Sequence, residues 1–125
     1  MSKIVNLAKA LALGRLAFGA ALIVKPEQTA SGWIGADASR PAVQIALRGL
    51  GARDVALSAG ALWAAGDRES LRRWLAAAAC CDLADLAATL AAPSDALPGN
   101  ARWGTAVLAG GSAVAGIALY KALER

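Results

Sequence analysis

Apolar residues in this chain follow neither the two-residue alternation of a strand nor the narrow 3.6-residue stripe of a water-facing helix; they come in long blocks. Four blocks stand out, at residues 4–24, 41–65, 71–92 and 101–120. Each is about twenty residues or slightly longer, which at 1.5 Å per residue spans a hydrocarbon layer of about 30 Å. Proline and glycine fall between the blocks, at Lys25-Pro26, Gly66-Asp67, Pro93 and Pro98-Gly99-Asn100. Ser39 and Asn100 stand where N-caps are expected. The pattern predicts an all-α fold with a single domain over residues 1–125. Its four transmembrane helices form a bundle running up-down-up-down.

Composition agrees with that reading. Hydrophobic residues make up 58% of the 125, above the roughly 45–50% usual for soluble domains. A water-soluble bundle would need a broad polar stripe on every helix. In the second block Gln44, Arg48, Arg53 and Asp54 project in several directions, and between Trp74 and Ala92 the only charges are Asp82 and Asp85. Trp33, Trp63, Trp74 and Trp103 lie at block ends or in connections, where amphipathic rings meet lipid headgroups. The connection from Lys25 to Arg40 is expected to form a short interfacial element anchored by Trp33, or a cap over a cavity opening outward.

Charge sets the orientation. Lys3, Lys9, Arg68, Arg72, Arg73, Lys121 and Arg125 share one side, against Lys25, Arg40 and Arg102 on the other, which places both termini in the cytoplasm. Arg15 interrupts the first apolar block and no A-x-A-like site follows it, so that block reads as a transmembrane helix rather than a signal peptide. The net charge of +4 does not cluster beside aromatic residues as a nucleic-acid surface requires, so no nucleic-acid partner is expected. With no histidine and only the adjacent Cys80 and Cys81, no metal or other cofactor is expected. The two thiols read as small packing residues.

The chemistry lies in the ionisable residues inside the blocks: Arg15, Arg48, Arg53, Asp54, Asp82 and Asp85. Each costs about 2.5–3.5 kcal/mol to insert at a helix centre, so they are expected to neutralise one another. Asp82 and Asp85 are ~60° apart on a helix and face one side, with Thr89 continuing their stripe. Matching depths predict Arg48 paired with Asp85, Arg15 or Arg53 with Asp82, and Asp54 as a third acceptor. No catalytic signature accompanies them, although Asp82 and Asp85 are the candidates for acid–base work. Small residues around Gly110-Gly111 and Ser112-x-x-x-Gly116 permit close helix contact, within the bundle or in a homodimer.

RLAFGAALIVKP (15–26), RGLGARDVALSAGALWA (48–64) and DLADL (82–86) together resemble a family of small four-helix integral membrane proteins known only as a domain of unknown function. G-A-R-D at Gly51–Asp54 and the D-x-x-D of Asp82 and Asp85 are the most specific parts. The resemblance implies a protein of the bacterial cytoplasmic (inner) membrane and supplies no activity. A more distant similarity to small DoxX-like membrane proteins rests on helix number and size.

Two functional readings follow. In the first, the chain is a non-enzymatic accessory or scaffolding component of the membrane: the interior charges lock the bundle and its faces contact other membrane proteins. In the second, it is an enzyme or carrier for a small amphipathic ligand held by Asp82, Asp85 and the arginines. A proton or ion path would use the same carboxylates. The first reading requires every interior charge to be paired with no cavity beside it. The second requires a pocket near Asp82 and an imperfectly paired carboxylate.

Overall fold

Prolines and one aspartate divide the chain into helices. Pro26 and Pro41 each occupy a first helical turn, where a missing N–H costs nothing. Asp67 caps the next helix by accepting from the Glu69 backbone N–H at 3.2 Å. Before Pro93 the backbone at Ala92 turns extended, with ψ 147°, as a residue preceding proline must. The computed structural model describes residues 2–125, and no strand occurs among them. Five helices result: α1 (Ser2–Val24), α2 (Pro26–Ile34), α3 (Pro41–Trp63), α4 (Arg68–Ala91) and α5 (Ala101–Ala122).

α1, α3, α4 and α5 correspond to the four apolar blocks. α4 starts three residues earlier than its block, because Asp67 supplies the cap. Arg40, not Ser39, precedes α3; Ser39 closes a 3-10 turn by donating to the Ala36 carbonyl at 2.9 Å. Asn100 sits at the start of α5 without a side-chain capping bond. The Lys25–Arg40 connection contains the nine-residue α2 followed by that 3-10 turn.

α1, α4 and α5 are long and apolar enough to cross a membrane. α3 is as long as α1, but Arg48, Arg53 and Asp54 fall within every 18-residue window of it. α5 is interrupted by a π turn at Ala106–Gly110, a widening of the helix often found at functional sites.

α1 packs most closely along α3, and α4 along the second half of α5. The α1–α3 contact depends on two glycines. A methyl on Gly51 would lie 2.5 Å from the Gly19 carbonyl oxygen, and one on Gly19 would lie 2.7 Å from the Gly51 oxygen. Backbone therefore meets backbone there, as in close-packed membrane helices. Because Arg15 lies one turn before Gly19 and Asp54 one turn after Gly51, the crossing brings those two side chains together. α3 meets α4 where the Trp74 ring covers Gly60. In the second half of α5, Ser112 and Gly116 face α1 and α4 inside the molecule.

Two apolar clusters bracket the middle. Ala8, Ala12, Ala61, Leu71, Leu75 and Leu123 pack near the termini. Leu22, Ala30, Ala38 and Leu47 pack at the other end. The outer surface is unusually apolar: Leu7, Leu13, Val24, Ile45, Val107, Leu108 and Val114 are exposed, whereas Asp54, Ser58, Asp82 and Thr89 are buried. Trp63 and Trp103, at helix ends, are 93% and 76% exposed. Cys80 is exposed and Cys81 half-buried, with no disulfide between them. Cys80 is thus not the buried packing thiol expected, because it lies on the outward face of α4.

Candidate functional site

Between the two apolar clusters lies a polar layer drawn from α1, α3, α4 and α5. Arg15 grips Asp82 with both nitrogens, Nη1 to Oδ1 at 2.8 Å and Nη2 to Oδ2 at 2.5 Å, and its Nη2 also donates to Ser112 Oγ at 3.0 Å. Arg53 makes the same fork with Asp85, at 3.0 and 2.7 Å. Such bidentate pairing is the strongest that guanidinium and carboxylate form.

Asp54 joins the two pairs. Its Oδ1 accepts from Arg53 Nη2 at 3.1 Å and Nε at 3.4 Å, and lies 3.6 Å from Arg15 Nη1. No donor among the described residues reaches its Oδ2. Asp54 is 3% and Asp82 5% exposed, so their charges depend on these partners rather than on bulk water. Ser58, one turn along α3, donates to the Asp54 carbonyl at 2.7 Å.

A relay runs from this layer to α2. Thr89 donates to the Asp85 carbonyl at 2.8 Å and accepts from Trp33 Nε1 at 3.0 Å. That bond ties the half-buried Trp33 of α2 to α4, one turn beyond Asp85.

Beside the layer is a cavity of about 510 Å³, a size in the range of small-molecule sites. α1 contributes Leu11, Gly14, Arg15 and Phe18; α2 contributes Thr29, Gly32 and Trp33; α3 contributes Leu50 and Asp54. Asp82 and Asp85 of α4 form part of its floor, and Asn100 to Ser112 supply the remaining wall, including the π turn. Most of the lining is apolar and the charged groups gather on one side. Phe18 and Leu108, both exposed, place its mouth between α1 and α5. A second hollow of about 470 Å³ opens near the termini beside Arg68, Lys121 and Arg125, with no carboxylate in its wall. Among the described residues no group of three His, Cys, Asp or Glu side chains is placed to hold a metal ion.

Five of the six ionisable candidates from the apolar blocks thus converge: Arg15, Arg53, Asp54, Asp82 and Asp85. Arg48 does not join them. It is exposed and donates from Nε to the Ile23 carbonyl at 3.1 Å, while Arg53 takes Asp85 in its place. Depth alone suggested Arg48, but five residues turn a helix by ~140°, so Arg48 and Arg53 cannot both face α4. Ser112, Ser58 and Trp33 also belong to the layer. Ser112 was visible in the sequence only as a small residue, and its bond to Arg15 depends on how α5 is rotated. No family model, no curated protein and no solved structure matches this chain.

Proposed function

We propose that the chain is an integral membrane protein that holds a small amphipathic ligand in the cleft between α1, α2 and α5. On this reading α1, α3, α4 and α5 cross the bilayer as an up-down-up-down bundle with both termini cytoplasmic. Four helices of 22 to 24 residues, about 33–36 Å at the helical rise, suit that role. The surface supports it: many aliphatic side chains lie outside while Arg15, Asp54 and Asp82 are held inside, which is favourable in lipid and costly in water. α3, too charged to insert alone, is carried by its partners, since Arg53 and Asp54 find theirs within the bundle. The resemblance to small four-helix proteins of the bacterial inner membrane belongs to the same proposal.

The observation that carries the ligand reading is the cavity itself, with apolar walls and an ionic floor that includes a carboxylate oxygen without a donor. An accessory role rests on the pairing of Arg15 with Asp82, which ties α1 to α4. Such a lock needs no space beside it, so the open volume favours the ligand.

Glycines in the cavity wall supply the test. Gly14, Gly32 and Gly104 line the cavity, and a methyl added at any of them meets nothing within 4 Å, so Gly104→Phe sets a ring at the cleft wall with no clash at its Cβ, to obstruct the cleft. Native mass spectrometry of detergent-purified protein should show a bound amphiphile in the wild type and none in Gly104→Phe, with the melting temperature kept. Equal retention by both proteins would remove the cleft as the site.

A further inference from the structure

We infer that the cleft selects an amphiphile with a primary ammonium head and a single apolar chain; this deepens the ligand-cleft reading and rests on it. Charge carries the argument. The side chains facing the cavity include three carboxylates, Asp54, Asp82 and Asp85, and one guanidinium, Arg15. Arg53 reaches Asp54 and Asp85 but does not line the cavity. Three negative groups against two positive ones leave the layer one positive charge short. In a low-dielectric interior a missing charge cannot be left to distant counter-ions.

Geometry says where that charge belongs. Asp82 and Asp85 spend both carboxylate oxygens on the bidentate arginines. Asp54 spends only Oδ1, and it is 3% exposed with Oδ2 receiving no hydrogen bond from the described residues. A primary ammonium brings both the missing charge and N–H donors for that oxygen. Trp33 and Phe18 also line the cavity and add aromatic surface to its wall. The apolar lining toward the exposed Leu108 accepts a chain entering from the side. An anionic head would instead add a second unpaired negative charge beside Asp54.

The test uses the protein in neutral phosphatidylcholine nanodiscs at neutral pH. Three radiolabelled twelve-carbon probes differ only in the head: dodecylamine, dodecanol and laurate. Binding in excess of empty nanodiscs is measured for the wild type, Asp54→Asn and Gly104→Phe. The expected result is that the wild type holds dodecylamine about tenfold more tightly than dodecanol, with laurate weakest. Asp54→Asn makes the layer neutral and should bring the amine and the alcohol within about twofold of each other, while Gly104→Phe should abolish binding. Equal wild-type affinity for amine and alcohol would show that the layer balances itself with a proton. That outcome overturns the head-group inference and leaves the cleft reading standing, as would a preference for laurate. Binding of none of the probes, unchanged by Gly104→Phe, overturns both. Should Asp54→Asn fail to fold, the wild-type comparison alone decides.

Discussion

Substituting Asp82 by Asn keeps its shape and removes its charge, so the result measures how far the buried pair holds the fold. Asp82 is 5% exposed and receives two hydrogen bonds from Arg15. Stripping one member from a buried pair typically costs about 3–5 kcal/mol, largely because the other charge is stranded. Here Arg15 is not wholly stranded. It keeps Asp54 Oδ1 at 3.6 Å and Ser112 Oγ at 3.0 Å, and the amide oxygen of Asn can still accept one N–H. About half the usual penalty remains, ~2 kcal/mol. For a chain of this length that lowers the melting temperature by roughly 6–10 °C. Asp85 provides the internal comparison. Its side chain is 24% exposed, and its partner Arg53 keeps Asp54 at 3.1 Å, so Asp85→Asn should cost about 1 kcal/mol or less. The assay is thermal unfolding followed by circular dichroism in one detergent, with wild type and both variants side by side. A rise in melting temperature for Asp82→Asn, or a larger loss for Asp85→Asn, would refute the reasoning.

Four further outcomes follow from local geometry. Gly51→Ala puts a methyl 2.5 Å from the Gly19 oxygen and should cost about 1–3 kcal/mol by forcing α1 from α3. Gly49→Ala, two residues away with nothing within 4 Å, should be neutral or slightly stabilising in the same melts. Asp67 accepts from the Ser70 hydroxyl and the Glu69 backbone N–H, and these bonds, that of Ser70 foremost, hold its carboxyl below the usual carboxylate range. A lowered folded-state pKa stabilises above the unfolded value of about 4 and stops doing so as pH falls through the folded one. The melting-temperature gap between wild type and Asp67→Ala should therefore narrow on acidification below about pH 4, and a gap that widens there would contradict the cap. Cys80, exposed on α4, should react faster than Cys81 with a membrane-permeant maleimide, as read by mass spectrometry of single-cysteine variants.

Much of the fold was legible because helix length and apolar content are local properties. Twenty-residue blocks ended by proline and glycine can hardly be anything but helices, and four of the five follow the blocks within a few residues. α2 was visible only as an interfacial element, because nine residues with a polar start carry little periodicity. The inward facing of Asp82 and Asp85 was also readable, since two carboxylates three residues apart share a face and the stretch around them, Trp74 to Ala92, is otherwise almost entirely apolar.

By itself the sequence determined the all-helical class, the four long helices to within a few residues, and five of the ionisable residues that neutralise one another, with Arg48 wrongly added as a sixth. Each follows from the chain's own chemistry: apolar length, missing proline N–H groups, and the cost of a bare charge in an apolar interior. Tertiary structure alone decided which arginine meets which aspartate. That depends on the rotation of each helix, which the contact of Gly19 with Gly51 and of Trp74 with Gly60 sets for α3. It turned Arg53 toward Asp85 and left Arg48 outside. The same rotations left the space between α1, α2 and α5 unfilled, and a cavity is a property of packed neighbours that no single segment encodes.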